Sequence, residues 1–231
     1  MLKFDLITIF PQIFDSYFNE SILRRAQEKK LITIKAHNLR DVTIDKHKTV
    51  DDSPYGGGPG MVFKVEPIYK IVQKLKTKNK KQKTRVILFS TRGKKFDASI
   101  AKRLAKYDQL ILICGRYEGV DERVAEHVAD EEISLGDYVL SGGELPAMIL
   151  VDAVSRFIPG VLGKHESLEE IKGSYPVYTK PEIFIPNLKN KKSYKLSVKS
   201  SKSSSWRVPK VLLLGNHKKI EEWRKQGELR G

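Results

Sequence analysis

Apolar positions along this chain fall into two alternating spacings. Residues 4–10 and 31–36 carry the short period of strands, while residues 13–29 place Ile13, Phe14, Tyr17, Phe18, Ile22 and Leu23 at helical spacing. Residues 86–89 and 110–114 are short continuous apolar runs, the kind that a parallel sheet buries on both faces. Between and after them, residues 97–106 and 121–129 predict helices. Residues 143–158 are apolar on nearly every side, through Leu145, Met148, Ile149, Leu150, Val151, Val154, Phe157 and Ile158. A helix without a polar face predicts burial on both sides. Strands alternating with helices in this way predict an α/β sheet with helices on both of its faces.

Polar stretches divide the chain. Residues 74–83 hold six lysines, which predicts a solvated loop or helix end. Residues 189–205 are rich in Lys and Ser and predict weak order. Beyond them lies an apolar run, residues 208–214. Asn216 then stands where it can cap a short charged helix reaching about Gln226. The expected organisation is a body over residues 1–160, a linker over 161–175 and a C-terminal module over 176–231.

Charge sharpens that division. The formal net charge of the 231 residues is +15. Residues 172–231 contain 15 Lys+Arg against 4 Asp+Glu, so most of the excess lies in the C-terminal module. A basic module on a nearly balanced body points to a polyanionic partner. No segment approaches the roughly 18–20 uncharged apolar residues of a membrane span. The opening MLKFDLITIFP carries Asp5 within its apolar run and lacks a small-residue cleavage site, unlike a signal peptide. With Cys114 as the one cysteine, no disulfide framework can form within the chain, and a reducing cytoplasm is the expected compartment. His37, His47, His127, His165 and His217 show no paired ligand spacing, so no metal site is predicted.

Three segments carry candidate chemistry. DDSPYGGGPG at 51–60 sets four glycines in five positions, allowing positive φ and close approach of a ligand. It is neither a P-loop nor a G-x-G-x-x-G turn, which disfavours dinucleotide enzymes. LILICGRYEGVD at 110–121 runs a buried-type strand into Gly115, Arg116, Tyr117 and Glu118, at the strand end where open α/β sheets hold ligands. EISLGDYVLSGGELP at 132–146 interrupts an apolar stretch with Gly136, Gly142 and Gly143. Backbone amides there can read the edge of a purine while apolar side chains cover its faces. Taken singly, each segment also reads as an ordinary turn.

Together, and in this order, the segments resemble the bacterial tRNA (guanine-N1)-methyltransferase family of the SPOUT, or trefoil-knot, class. SYPVYTKPE and VPKVLLLGNHKKIEEWR resemble its C-terminal module. The resemblance spans nearly the whole chain and implies a SPOUT-type sheet with a C-terminal trefoil knot, followed by a small, mainly helical module. It implies S-adenosylmethionine as cofactor, Mg²⁺ as an aid, tRNA as substrate, and a homodimer with active sites at its interface. By resemblance, the cofactor contacts are Phe89, Ser90, Gly115, Tyr117, Glu118, Leu135, Gly136, Asp137, Tyr138, Val139, Leu140, Gly142, Gly143 and Pro146. Substrate contacts are Asp52, Tyr55, Gly57, Gly58, Lys191, Lys192 and Arg207. The methylated base is the guanosine immediately 3′ of the anticodon.

Guanine N1 carries a proton at neutral pH, and its loss puts negative charge on O6. The protein must take that proton, stabilise O6 and align N1 with the methyl group. Arg156 matches the arginine that serves O6 in the family; its spacing from Asp152 is also that of a helix ion pair. The base is open. Family members carry an aspartate directly after a Glu-Glu pair, whereas here Glu169-Glu170 is followed by Ile171. The following loop is shorter, and Val177 and Leu213 also depart from the pattern. Glu170, Glu169 or another carboxylate then takes the role. Two other functions stand beside this one: ribose 2′-O-methylation on the same fold, and RNA binding without catalysis.

Overall fold

The computed structural model describes residues 1–76, 82–163, 175–184 and 205–228. The chain divides into two compact units, Met1–His165 and Glu166–Gly231.

The first unit is built on a five-stranded sheet. Its strands are β1 (Leu2–Thr8), β2 (Ile32–Asn38), β5 (Thr84–Lys95), β6 (Gln109–Ile113) and β7 (Glu131–Ser134), in the order β2-β1-β6-β5-β7. Every pairing is parallel. A separate antiparallel pair, β3 (Asp51–Asp52) and β4 (Val62–Phe63), brackets the glycine-rich segment. The continuous apolar run of β6 explains its central place. Leu110, Leu112 and Cys114 enter one core cluster while Ile111 and Ile113 enter the other. Side chains of a strand alternate between faces, so both faces must be covered. Truncating a side chain here, such as Leu112→Ala, costs about 2–5 kcal/mol.

Helices supply that cover. On one face lie α1 (Asp15–Phe18), α2 (Ser21–Glu28), α4 (Ala98–Leu104) and α6 (Glu144–Arg156), through Phe18, Leu23, Leu104, Leu150 and Val154. On the other lie α3 (Val65–Leu75) and α5 (Glu122–His127), through Ile68, Ile71, Val72 and Val124. Helices on both faces of a parallel sheet are the architecture expected from the pattern.

Two expectations need correction. The single helix expected over 13–29 is a 3₁₀ turn, Pro11–Phe14, then α1 and α2. The break falls at Asn19–Ser21, where Ser21 has φ 49°, a conformation that ends regular helix. In the lysine-rich stretch Lys74 and Leu75 end α3, the helix-end alternative, and residues 77–81 lie outside the described residues. Second, α6 is not buried on both sides within this chain. Ala147, Leu150, Val151 and Val154 are fully covered by the sheet, but Leu145 and Ile149 are about half exposed (52% and 45%).

In the second unit, β8 (Ile183–Phe184) pairs antiparallel with β9 (Trp206–Arg207), and Phe184 lies 5.3 Å from Trp206 between ring centroids. Two helices follow, α7 (Lys210–Leu213) and α8 (His217–Glu228). Asn216 caps the latter, accepting from the Lys219 amide at 3.2 Å. Expectations placed on residues 164–174 and 185–204, the core of the linker and most of the Lys/Ser-rich stretch, lie outside the described residues.

Candidate active site

The C-terminal ends of β5, β6 and β7 open onto a cavity of about 490 Å³. That is within the range of small-molecule sites, and its place beyond the strand ends is where parallel sheets hold ligands. Each wall follows from a local feature.

The first wall is the turn after β6. Its Gly115 carbonyl accepts from the Gly143 amide at 2.9 Å, and Arg116 bridges to Gly142. A Cβ on Gly143 would lie 2.7 Å from the Cys114 Cα, so only glycine permits this approach of α6 to the strand end. Glu144, the first residue of α6, is 1% exposed. Its carboxylate accepts from Thr8 Oγ1 at 2.8 Å and from Arg116 Nε at 3.0 Å. The Arg116 guanidinium also covers the Phe10 ring, 4.9 Å from its centroid. Three segments distant in sequence are thereby tied at one corner. Beneath them the Cys114 thiol is fully buried, which pushes its pKa well up, with the Glu144 charge adding to the effect.

The same turn carries the glycine-rich segment. Glu118 donates its amide to the Met61 carbonyl at 3.1 Å, and Phe63 of β4 donates to the Gly119 carbonyl and accepts from the Asp121 amide, both at 3.0 Å. Tyr117, at φ 58°, sets its ring edge-on to Phe63 at 5.5 Å. Gly60, at φ 78°, lies under the Glu118 side chain; a Cβ there would come 2.5 Å from Glu118 Cγ. Two of the three segments singled out in the sequence therefore meet at Glu118.

The third segment forms the opposite wall. Residues 135–140 leave β7 as a loop, with Ser134 Oγ accepting from the Gly136 amide at 3.3 Å and the Tyr138 hydroxyl donating to the Leu135 carbonyl at 3.3 Å. A register shift in β5 between Phe89 and Lys94 pushes Ser90–Gly93 outward as the rim. There Arg92 donates to Glu122 at 2.6 Å, and Glu132 Oε1, 3.9 Å from Arg92, is buried with no hydrogen-bond partner among the described residues.

Against the cofactor contacts implied by resemblance, the structure gathers Phe89, Ser90, Gly115, Tyr117, Glu118, Leu135, Gly136, Tyr138, Val139, Leu140, Gly142, Gly143 and Pro146 around this one cavity. Asp137 is the exception: its side chain turns outward to Lys95 Nζ at 2.5 Å.

Comparison with known proteins decides the family. Residues 2–231 match the family model described as tRNA (Guanine-1)-methyltransferase TrmD. A tRNA (guanine-N(1)-)-methyltransferase of Dictyoglomus turgidum is 49% identical over 235 residues, covering 100% of this chain and 86% of that one. One from Dehalococcoides mccartyi is 46% identical, covering 99% and 86%. One from Clostridioides difficile is 44% identical, covering 99% and 93%.

The chain belongs to the tRNA (guanine-1)-methyltransferase family.

The remaining residues that the family implicates are scattered. Arg156 ends α6 and is partly buried, and its guanidinium forms no hydrogen bond or ion pair with the described residues. The pairing with Asp152 that its spacing allows is not made; Asp152 accepts instead from the Tyr17 hydroxyl at 2.5 Å. Asp52 pairs with Lys64 at 3.2 Å, which holds its carboxyl below the usual range. Tyr55, Gly57 and Gly58 are fully in solvent, with both glycines at positive φ. Arg207 lies in β9 of the second unit. Glu169, Glu170, Lys191 and Lys192 fall outside the described residues. For the magnesium ion that the family implies, no group of three His, Cys, Asp or Glu among the described residues could hold it, and no step is assigned to it.

Reading the sequence missed the corner made by Thr8, Arg116 and Glu144, and the rim made by Arg92, Glu122 and Glu132. Neither has a local signature, because the partners come from different elements. No described helix is long and apolar enough to cross a membrane.

Proposed function

We propose that this chain methylates N1 of guanine in tRNA, at the guanosine immediately 3′ of the anticodon, with S-adenosylmethionine as methyl donor. The observation that carries the reading is the cavity at the strand ends, walled by the 135–140 loop and closed by the Gly115–Gly143 contact. Its features suit that cofactor. A loop of exposed backbone fits the polar edge of an adenine, Leu135 and Leu140 fit its faces, and the orphaned Glu132 Oε1 offers an acceptor to a donor on the ligand. Bound there, S-adenosylmethionine supplies a methyl group on a cationic sulfur.

The chain's own residues do the rest. Arg156 brings a guanidinium to guanine O6, where negative charge develops as N1 loses its proton, in the manner of an oxyanion donor. Glu170, with Glu169 beside it as the alternative, accepts the N1 proton. A carboxylate suffices as base because the arginine lowers the cost of the charge left behind. The basic second unit, with Lys191, Lys192 and Arg207, meets tRNA phosphates, and Asp52, Tyr55, Gly57 and Gly58 approach the nucleotide.

Two features of the fold belong to the same reading. The bridge from Arg116 to Gly142, with the Gly143–Gly115 hydrogen bond, supports a chain whose last segment threads past the β6 turn as a trefoil knot. The half-exposed Leu145 and Ile149, on a helix whose other face is buried against the sheet, support a homodimer, the second copy shielding that stripe near Arg156. The enzyme works in the cytoplasm, where its tRNA substrate resides.

Mapping the modified nucleotide after incubation with labelled cofactor and anticodon-stem transcripts tests the proposal. Methylation at N1 of the named guanosine is the expected result. Label on a ribose 2′-oxygen, or no transfer at all, would overturn it.

A further inference from the structure

Asp152 and Arg156 stand one turn apart on α6, with the acid on the N-terminal side, the order that favours an ion pair along a helix surface. Such a pair would neutralise the guanidinium and hold it against its own helix. It is not formed. The Asp152 carboxylate is taken by the Tyr17 hydroxyl, which donates to Oδ2 at 2.5 Å from a helix 135 positions earlier in the chain. Tyr17 is well placed to hold it. Its ring leans on Phe18 at 6.0 Å, and Phe18, 4% exposed, stacks on buried Phe14 at 5.4 Å, so the phenol stands on a side chain fixed in the core.

We propose that Tyr17 is a positioning residue for Arg156: by occupying Asp152, it keeps the arginine out of a pair with that acid and available to the substrate oxygen. The inference rests on the O6 role given to Arg156 above. The hydrogen bond to Asp152 pushes the Tyr17 phenol up to about 12, so at neutral pH the hydroxyl keeps its proton and remains a donor. The arrangement resolves a conflict in the helix. An acid at position 152 would otherwise capture the cation that the reaction needs, and a tyrosine from another element captures the acid first.

The test is single-turnover methylation of a tRNA transcript at saturating cofactor, with tRNA and S-adenosylhomocysteine affinities measured alongside. Tyr17→Phe should slow the methyl-transfer step roughly two- to fivefold, the span expected when an exposed or partly shielded helix ion pair competes for the arginine. Both affinities should stay as in the parent enzyme. Adding Asp152→Asn to Tyr17→Phe removes the competing charge and should restore the rate. A rate unchanged in Tyr17→Phe overturns the proposal. So does a slowed rate that Asp152→Asn fails to restore, because Tyr17 would then act through packing. Arg156→Ala separates this from the parent reading. A full rate in that variant removes the arginine's role and this proposal with it, whereas a slow Arg156→Ala beside a normal Tyr17→Phe removes this proposal alone.

Discussion

Arg116 donates through Nε to Glu144 at 3.0 Å, joining the turn after β6 to the first residue of α6, and the acid is 1% exposed. A carboxylate so placed is tolerated because Thr8 satisfies its other oxygen at 2.8 Å. Its value lies in geometry more than in net attraction, since it fixes two walls of the cavity against each other.

Glu144→Leu should therefore destabilise the protein by about 2–4 kcal/mol, because a partly buried guanidinium loses its counter-charge. In a chain that already carries Arg116→Leu, the same change should cost clearly less. Urea unfolding of the two singles and the double closes the cycle. Equal costs in both backgrounds would show that the pair is uncoupled.

Gly142 and Gly143 should differ in how they fail. A Cβ on Gly143 meets the backbone of Cys114 at 2.7 Å and the Gly115 nitrogen at 3.1 Å, neither of which can turn aside. A Cβ on Gly142 meets the side chains of Arg116 and Glu144, which can shift at a cost in stability while the backbone path stays open. Gly143→Ala should lower the melting temperature and abolish binding of S-adenosylhomocysteine. Gly142→Val should stay folded and lose the ligand. Calorimetry beside thermal melts checks both, and normal binding by Gly142→Val would leave that loop as a turn only.

Asp5 is fully buried. Burial alone would raise its carboxyl, but hydrogen bonds from His37 at 2.7 Å, Gln109 at 2.7 Å and Lys3 at 3.0 Å together bring it below its usual value. A carboxyl lowered by folding adds stability that is complete above its unfolded value, near ~3.9, and is lost as pH falls through the folded value. Asp5→Asn should cost about 1–3 kcal/mol at neutral pH and little at the acid end. Denaturant midpoints at both ends of that range provide the measurement.

Glu170→Gln should slow single-turnover methylation by about 10²-fold, the lower range for a positioned base, and leave tRNA affinity intact because the amide keeps the size. Glu169→Gln should do less. Full rates in both variants would move the proton to another carboxylate, of which Glu118, Glu122 and Glu132 already line the cavity.

Much of the first unit was legible because β6 and the first half of β5 are apolar on both faces, which only a covered parallel sheet accommodates. The second half of β5 was not, since Arg92, Lys94 and Lys95 read as loop where the strand bulges out to form the rim. Two glutamates disguised β7, although Glu131 earns its place by binding Arg85 at 3.0 Å and Arg103 at 2.7 Å. The helix α3 had a readable signal in Val65, Ile68, Val72 and Leu75. Strand-end position and glycine placement pointed to Gly115, Tyr117, Glu118, Gly136, Gly142 and Gly143, but that these and the other wall residues serve one cofactor came from family resemblance. Contacts such as Tyr17 with Asp152 are set by tertiary packing between segments that carry no trace of each other.

Cys114 has a practical consequence. The thiol is the chain's one sulfhydryl, and it sits in the sheet beneath α6 with its pKa raised by burial. Reagents that attack thiolates can reach it only through an opening of the packing that includes α6 or through global unfolding, so its modification rate reports those events. An unengineered sample thus contains a kinetic probe at the base of the cavity. Protection of Cys114 by added nucleoside would measure ligand occupancy without any turnover.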